Sequence, residues 1–359
     1  MKSNNHIPHL YKPLLPLAWL YGAGVWMRNR LFDRGILSAE EFSIPIISVG
    51  NINVGGTGKT PMIEHLIELL SPHKRIAVLS RGYRRKSKGF VLAHPQSTAQ
   101  ELGDEPYQIH SKYKQVTVAV DANRRRGIKQ LLQLQQPPEV ILLDDAHQHR
   151  YVRPTLSIVL CDHNRPPYAD LLLPAGRLRE PISGLQRADM VVLTKCKHLI
   201  DNKELRNEAQ RLNIDADTLY AAHIEYGMPY NIANKEQSTI EQVTKEKHVI
   251  VFTGIANPQP LVAYLSRYTT QITTLDYPDH HDFTSRDIDN LVKQMGQNNN
   301  TIIITTEKDA ARLACAQLPS AVHTRCYVIP LKTVIQPSAS HTPFDRKILE
   351  ILSIAPNDL

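Results

Sequence analysis

The sequence has few cysteines and no long apolar segment, and both absences limit what the chain can be. Its 359 residues include four cysteines, and no two of them form a C-x-x-C pair. This spacing argues against a disulfide scaffold or a zinc site and favours reduced thiols in the cytoplasm. No stretch reaches the roughly 20 consecutive apolar residues that a membrane-spanning helix needs. The length is sufficient for two domains, each with its own hydrophobic core.

Acidic residues are in the minority. Lysine and arginine total 42 against 35 aspartates and glutamates, which gives a formal net charge of +7. A basic balance suggests an anionic partner, such as a phosphate group, an acidic lipid surface or a nucleic acid. From charge alone, an ordinary basic cytosolic protein is an equally good interpretation.

Tryptophan is scarce, and both tryptophans lie in one segment near the N-terminus. Residues 14–27 are apolar and aromatic, with Trp19 and Trp26 among them, and Arg28 and Arg30 follow. Aromatic residues beside arginines are typical of a helix that lies in a membrane interface. A helix packed on the protein core would explain the same residues, so both interpretations stay open at this point.

The most informative pattern is a glycine-rich loop between an apolar strand and a helix. Residues 44–49 form the apolar run, and the apolar positions of residues 61–70 lie mostly on one helical face. Such a loop directs several backbone N–H groups and the positive end of a helix dipole at one small volume. The sequence therefore predicts a phosphate-binding loop for a nucleoside triphosphate, made of Asn53, Val54, Gly55, Gly56, Thr57, Gly58, Lys59 and Thr60.

Two residues of this loop have clear chemical roles, and two depart from related patterns. Lys59 can reach the β- and γ-phosphates, and the Thr60 hydroxyl can ligate Mg²⁺. Asn53 stands at the first glycine of G-x-x-x-x-G-K-[ST], where asparagine tolerates a left-handed backbone. Val54 stands where the K-G-G-x-G-K-[ST] loop has lysine, which argues against the partitioning-ATPase variant.

Short, continuously apolar strands alternate with helical segments through the first 220 residues, which indicates a parallel sheet covered on both faces. A second α/β set without a phosphate loop begins near residue 220. We therefore predict an α/β protein with a P-loop NTPase-type parallel sheet, a second and smaller α/β domain, and an apolar N-terminal helix. The predicted domains are 1–40 for the membrane-interface helix region, 41–220 for the P-loop core and 221–359 for the smaller domain.

The sequence contains two pairs of adjacent carboxylates, one at the end of a buried strand and one between two predicted strands. Asp144 and Asp145 end a strand, where a nucleotide-binding sheet places its Mg²⁺-organising carboxylate, and adjacent aspartates there cannot both face the same way. We expect one to orient the metal and the other to hold the loop. Asp104 and Glu105 precede a proline on a loop between strands, where an acidic pair can deprotonate a hydroxyl and share Mg²⁺ coordination. Taken alone, an Asp-Glu pair before a proline is more often a capped helix start.

Basic residues follow several of the same strands. Arg81 comes directly after the second strand, Arg124 after the next, and Arg177 after a loop. Arginines at strand ends can clamp a phosphate of substrate or nucleotide. In the second domain, residues 279–282 read Asp-His-His-Asp, which concentrates groups that titrate near neutral pH. Adjacent histidines cannot easily ligate one ion, so a zinc site is not favoured there.

Taken in order, these motifs resemble the tetraacyldisaccharide 4'-kinase family, the lipid A 4'-kinases of Gram-negative bacteria. The resemblance covers nearly the whole chain and rests on Val49-Gly-Asn51, Gly55-Gly-Thr-Gly-Lys-Thr-Pro61, Ser80-Arg-Gly-Tyr83, Gly103-Asp-Glu-Pro106, Leu143-Asp-Asp145, Gln148-His-Arg150, Leu173-Pro-Ala-Gly176, Leu178-Arg-Glu-Pro181, Arg187-Ala-Asp189, Gly254-Ile-Ala-Asn-Pro258, Pro278-Asp-His280 and Thr306-Glu-Lys-Asp309. Two departures are visible. Ala146-His147 stands where the family usually has Gly-Phe, and Arg177 stands where proline is common.

The resemblance implies transfer of the γ-phosphate of ATP to the 4'-hydroxyl of a tetraacylated glucosamine disaccharide 1-phosphate. It implies Asp104 as the acceptor of the hydroxyl proton, with His280 as its partner. The choice of His280 over His281 rests on the family's Pro-Asp-His order. The implied Mg²⁺ shell is Thr60, Glu105 and Asp145, and the substrate contacts that we expect are Arg81, Asn123, Arg124 and Arg177.

The same resemblance implies a peripheral enzyme on the cytoplasmic face of the bacterial inner membrane, which favours the interfacial interpretation of the N-terminal segment. The expected partners are the lipid disaccharide and the membrane surface, with no nucleic acid and no obligate protein partner. The alternative is a P-loop GTPase or metallochaperone-type switch protein, which would explain the loop and Thr194-Lys195. Lys197 stands where its guanine-reading aspartate would fall, and the apolar N-terminus would be left without a role.

Overall fold

The computed structural model describes residues 11–196, 199–245, 247–255, 257–278, 281–296, 300–313 and 318–354. The chain divides into two compact units, and each is described by itself. The first unit consists of Met1–Ser97, Tyr113–Ile224 and Thr333–Leu359, and the second consists of Thr98–Lys112 and Glu225–Lys332.

The regular elements alternate along most of the chain. The strands are β1 (Ile46–Asn51), β2 (Ile76–Ser80), β3 (Val91–Leu92), β4 (Thr117–Val120), β5 (Val140–Asp144), β6 (Leu156–Asp162), β7 (Met190–Thr194), β8 (Leu219–Tyr226), β9 (Tyr230–Asn231), β10 (His248–Thr253), β11 (Ile272–Asp276), β12 (Thr301–Thr306), β13 (Cys326–Ile329) and β14 (Leu331–Gln336). The helices are α1 (Leu15–Asp33), α2 (Lys59–Leu70), α3 (Ala99–Leu102), α4 (Asp104–Lys112), α5 (Arg124–Leu132), α6 (Asn202–Leu212), α7 (Ile240–Thr244), α8 (Gln259–Leu265), α9 (Ser285–Met295), α10 (Glu307–Leu313), α11 (Ser320–Arg325) and α12 (Phe344–Ile351).

The first unit is built on a nine-stranded sheet with the order β14-β8-β7-β6-β1-β5-β2-β4-β3. The pairs from β8 through β4 are parallel, and β3 runs antiparallel to β4. Every residue of β1 is buried, because the strand lies in the middle of a sheet that helices cover. The helix α2 turns Ile63, Leu66 and Leu70 into this core. The predicted fold class is confirmed.

The second unit has a five-stranded sheet with the order β11-β10-β12-β13-β9. Its strands are parallel except β9, which runs antiparallel to β13. Alternate residues of β10 enter two separate cores: Val249 and Val251 pack on one face, and Ile250 and Phe252 on the other. This alternation follows from the two-residue period of a strand that is covered on both sides.

The compact units divide the chain differently from the predicted domains: residues 1–40 are part of the first unit, and two further segments change place. Residues 98–112 belong to the second unit, where α4 packs against α10. Residues 333–359 return to the first unit, where the Phe344 ring packs on Tyr220 at a centroid distance of 5.2 Å. The order of elements in a sequence indicates neither excursion, because both depend on which elements a segment packs against in the fold.

Most of the large apolar side chains of the N-terminal helix α1 are exposed. Trp19 is 70% exposed, Leu20 71% and Trp26 59%, whereas Ala18 and Phe32 are buried. Polar bonds fix the helix to its own unit: the Tyr21 hydroxyl donates to the carbonyl of Arg179 at 2.7 Å. Among the helices that the structure describes, none is long and apolar enough to cross a membrane.

Candidate nucleotide-binding site

The predicted phosphate loop joins the end of β1 to the start of α2. Gly55 and Gly58 have φ values of 117° and 88°, a left-handed region that costs glycine little and other residues more. Asn53 forms an antiparallel bridge with Leu178 and is not among the residues with positive φ. Asn53 therefore does not use the left-handed backbone that asparagine tolerates, because the chain turns at the later glycines and keeps Asn53 paired like a strand residue.

One side of the loop is braced by a neighbouring extended segment. The N–H of Val54 donates to the Arg177 carbonyl at 2.8 Å, and the N–H of Arg179 donates to the Ile52 carbonyl at 2.7 Å. These bonds continue the edge of β1 beyond its last strand residue. The backbone of Arg177, a predicted substrate contact, therefore supports the loop.

The other side of the loop is held by side chains. The Asn51 amide donates to the Thr57 hydroxyl at 2.8 Å, and the Thr194 hydroxyl donates to the Thr57 carbonyl at 2.8 Å. The Lys195 ammonium donates to the Gly56 carbonyl and pairs with Asp162 at 2.7 Å. Residues 54–56 stay exposed between these supports, which leaves the crest of the loop open to a ligand.

The two adjacent aspartates face different partners, as expected. Asp144 ends β5, and its Oδ2 accepts a hydrogen bond from the Ser80 hydroxyl at 2.9 Å. Asp145 has a φ of 49°, and its carboxylate lies 3.6 Å from Lys59 and 2.9 Å from Arg179. The structure thus brings Asp145 to the lysine of the loop and places Asp144 behind it.

The environment separates the two carboxylates electrostatically. Burial raises the pKa of Asp144. Burial acts in the same direction on Asp145, but Lys59 and Arg179 outweigh it and hold the pKa of Asp145 below its ordinary value. Asp145 is therefore held in its ionised form, as a cation-binding or lysine-orienting group must be.

The set of oxygen ligands fits a magnesium ion. Mg²⁺ takes carboxylate oxygens, water and substrate phosphates, and the buried Oδ1 of Asp144 has no hydrogen-bond partner. Over the described parts of the chain, no group of three or more His, Cys, Asp and Glu side chains is arranged to hold a metal. A site that shares the ion with nucleotide phosphates needs only one or two carboxylates.

Arg124 is a buried structural side chain. It is 2% exposed, and its guanidinium donates to the carbonyls of Asp121 at 2.7 Å and Asp144 at 2.9 Å. Burial lowers its pKa to about 10. Because both bonds join the ends of β4 and β5, this position does not support the predicted substrate contact of Arg124. Arg81 and Asn123 are exposed, and the Asn123 side chain caps α5.

The second unit contains the other carboxylate pair. Asp104 and Glu105 begin α4, so the interpretation as a helix start is correct for their backbone. Asp104 is 33% exposed, and its Oδ2 lies 3.5 Å from Arg312. Asp309 is fully buried against Arg312 at 3.0 Å, so its carboxylate is satisfied inside the second unit.

The two predicted histidine candidates differ in what can be said of them. His280 lies outside the described residues. His281 is described: its Nε2 lies 3.0 Å from the Asp287 carboxylate, and its ring stacks on Tyr277 at 4.8 Å. His281 is thus used in packing, and the role of His280 stays a prediction.

Sequence reasoning gave no role to a buried polar cluster behind the loop. Gln148 donates to the Asn51 carbonyl at 2.7 Å and to Glu180 at 2.8 Å, and Arg187 donates to Glu180 at 2.6 Å. Burial lowers the pKa of the adjacent His147 to about 4. These residues lie within motifs that carry the family resemblance, which was the available signal, but their mutual contacts depend on the fold.

A glycine-rich loop at a helix start, with its lysine beside an aspartate from the neighbouring strand, defines a P-loop nucleotide-binding protein. The profile of the family described as tetraacyldisaccharide-1-P 4'-kinase matches residues 10–350. The chain belongs to this family, which confirms the predicted resemblance and the predicted enzyme class, a kinase.

Individual relatives agree with this assignment. The tetraacyldisaccharide 4'-kinase of Bacteroides thetaiotaomicron is 46% identical over 322 residues, which cover 86% of this chain and 85% of that protein. The enzyme of the same name from Phocaeicola vulgatus is 45% identical over 328 residues, which cover 89% and 90%. The crystal structure of apo-form LpxK from Aquifex aeolicus in complex with ATP aligns with a TM-score of 0.76 at 28% identity, covering 96% of this chain and 98% of that one.

Proposed function

We propose that this chain transfers the γ-phosphate of ATP to the 4'-hydroxyl of a tetraacylated glucosamine disaccharide 1-phosphate. The observation that carries the proposal is the exposed loop with Lys59 beside Asp145, in a chain of this kinase family. The Aquifex relative was crystallised with ATP, which supports ATP as the phosphate donor. The switch-protein alternative has no observation in its favour, since Lys195 supports the loop backbone.

Phosphoryl transfer depends mainly on positioning and charge stabilisation. The first N–H groups of α2 and the Lys59 ammonium would hold the β- and γ-phosphates. Arg179 holds Asp145 in place through two bonds of 2.9 Å, so Lys59 and Asp145 have fixed positions. A bound magnesium ion would neutralise phosphate charge, held by Thr60 and Asp145 with Asp144 next to them. Glu105 stays a sequence-based candidate for the same shell.

Asp104 is our candidate for accepting the proton of the 4'-hydroxyl, with His280 as its partner. In a loose transition state the proton leaves late, so a modestly activated carboxylate is sufficient. Arg81, Asn123 and Arg177 are the candidate contacts for the anionic substrate. The exposed position of Arg81 directly after Ser80 fits this role, since the Ser80 hydroxyl donates to Asp144 at the end of the strand that precedes Asp145.

The direct test is transfer of label from γ-³²P-ATP to the disaccharide 1-phosphate in detergent micelles. The wild type should form labelled lipid, and Asp104→Ala should lower the rate by about 100- to 10,000-fold, the usual contribution of a general base. Asp289→Ala, which removes an exposed carboxylate of α9, serves as the matched control. ATP hydrolysis by the wild type without labelled lipid would refute the proposed acceptor.

We further propose that the exposed side of α1 binds the membrane surface, which would place the enzyme on the cytoplasmic face of the inner membrane. Trp19, Leu20 and Trp26 supply apolar area, and Arg30 lies over the Trp26 ring at 5.5 Å, near enough to meet anionic lipid heads. Trp19→Ser/Trp26→Ser should lower co-sedimentation with anionic vesicles. Leu199→Ser removes an equally exposed leucine elsewhere and should not; equal losses in both variants would contradict the proposal.

A further inference from the structure

Arg312 connects the helix α10 to the first residue of α4. Its side chain is 5% exposed. Nη1 donates to the Asp309 carboxylate at 3.0 Å and to the Gly254 carbonyl at 3.0 Å, while Nη2 lies 3.5 Å from Oδ2 of Asp104. The guanidinium therefore contacts a buried carboxylate on one side and the candidate proton acceptor on the other.

Asp309 gives Arg312 a fixed anchor. Asp309 is fully buried, and its Oδ2 accepts from the Thr306 hydroxyl at 2.8 Å. The N–H of Asp309 donates back to the same Thr306 oxygen at 3.2 Å. Because a guanidinium is planar and presents its donors in a rigid fork, a fixed Asp309 also fixes the direction of the donors that face Asp104.

A second ion pair joins the same two helices at the other end of α4. Lys112, the last residue of α4, lies 2.8 Å from Glu307, the first residue of α10. This pair can hold the helices together without touching Asp104. The two pairs thus provide an internal comparison between a contact that reaches the candidate base and one that only joins the helices.

We propose that Arg312 is a positioning residue that holds the Asp104 carboxylate in one orientation for accepting the substrate proton. The inference rests on the proposed role of Asp104. A displacement of a reacting group by about 1 Å can cost about 100-fold in rate, so a partly exposed carboxylate at a helix start gains from a buried cation that restrains it. Asp309 acts one step further back, by orienting Arg312.

The test compares Arg312→Met, Arg312→Lys and the double variant Asp309→Asn/Arg312→Gln with the control Lys112→Met, in the micelle assay and in thermal unfolding. The double variant removes both charges, so it leaves no unpaired buried ion if Arg312→Met folds poorly. We expect Arg312→Met and the double variant to lower kcat roughly 10- to 100-fold with KM for ATP changed less than about 2-fold. Arg312→Lys should recover part of kcat, and Lys112→Met should stay within about 2-fold of the wild type.

The decisive measurement is Arg312→Met in the Asp104→Ala background. A positioning residue acts only through Asp104, so it should have no further effect on the residual rate there. A contact that merely stabilises the helices would lower the rate by the same factor in both backgrounds, and that result would overturn the inference. If the wild type forms labelled lipid and Asp104→Ala forms it far more slowly, while the Arg312 variants keep the wild-type kcat, the inference alone fails. A wild type that forms no labelled lipid would refute the proposed function itself.

Discussion

Two strands of this protein, β1 in the nine-stranded sheet and β12 in the five-stranded sheet, lead into helices in contrasting ways. Between β1 and α2, residues 52–58 form an open loop, and the first turn of α2 carries no acidic residue. The strand β12 ends at Thr306 and α10 begins at Glu307 without a loop, and Glu307 and Asp309 occupy the first helical turn. Each helix start offers N–H groups and a positive dipole end, but only the first leaves them available to an external anion.

The difference shows how one structural unit can serve opposite purposes. At the β1–α2 junction, left-handed glycines expose the backbone, and the Asp145 carboxylate is paired with Lys59 and Arg179. At the β12–α10 junction, Thr306 and Asp309 bond each other, so the N–H of Asp309 at the helix start already has a partner within the protein. Removal of a charged side chain should therefore reduce activity at the β1–α2 junction and stability at the β12–α10 junction.

The largest effect that we expect is on folding, from Asp309→Asn. The amide keeps the shape but leaves the Arg312 cation without its buried partner, which should lower the free energy of unfolding by about 3–5 kcal/mol. Urea unfolding of the full chain measures this loss, and Asp289→Asn on the exposed side of α9 should change it by less than about 0.5 kcal/mol. If Asp309→Asn keeps the wild-type stability and binds ATP more weakly, the β12–α10 junction binds ligand after all.

At the β1–α2 junction, Lys59→Met should reduce catalysis. Loss of a cation that stabilises transferred phosphate should lower the transfer rate by about 100- to 1,000-fold. The unfolding free energy should change little, because Asp145 keeps its two bonds to Arg179. Single-turnover transfer and urea unfolding separate these effects, with Lys203→Met on α6 as the control. A large loss of stability would show that Lys59 is also needed to hold the fold.

The sequence was sufficient to predict the function of the β1–α2 junction and insufficient to predict that of the β12–α10 junction. Glycine spacing and the residues Lys59 and Thr60 predict a phosphate loop because the chemistry is local to a few consecutive positions. The motif that contains Asp309 also follows an apolar strand, as the phosphate loop does. Its actual partner, Arg312, is only three residues away, but the burial that makes this pair structural comes from packing with α4, which no local pattern shows.

The supports of the loop were hidden for the same reason. Arg124 looked like a phosphate clamp because it follows a strand, yet it is buried between two strand ends. Glu180 and Arg187 are close in sequence, but Gln148, which joins Glu180 to β1, is 32 residues away from it. Contacts of this kind depend on strand order, and strand order is set by the whole sheet.

One residue behind the β1–α2 junction gives a pH-dependent prediction. His147 is buried with its pKa lowered to about 4 from an ordinary 6.5. The unfolded chain therefore binds a proton between these values that the folded protein does not, so stability falls as the pH drops from 6.5 towards 4. At pH 5 this cost is on the order of 2 kcal/mol.

His147→Phe introduces the residue that the family usually has at this position and cannot titrate. The variant should lose less stability than the wild type between pH 7 and pH 5, as measured by urea unfolding at each pH. Glu180 keeps Arg187 and Gln148 as partners in the variant. His94→Phe changes an exposed histidine and should leave the profile unchanged. Identical profiles for His147→Phe and the wild type would show that His147 is not the group responsible.

The smallest effect concerns Lys195, which follows β7 and helps to hold the open loop. Lys195 is 39% exposed, pairs with Asp162 at 2.7 Å and donates to the Gly56 carbonyl. Partly exposed pairs contribute about 0.2–1 kcal/mol, so Lys195→Met should raise KM for ATP by about 2- to 5-fold with kcat unchanged. Thr194→Ser keeps the hydroxyl that bonds Thr57 and serves as the control. An unchanged KM would mean that the glycines and the bridge at Asn53 hold the loop without help, whereas a loss above about 10-fold would mean that Lys195 contacts the nucleotide itself.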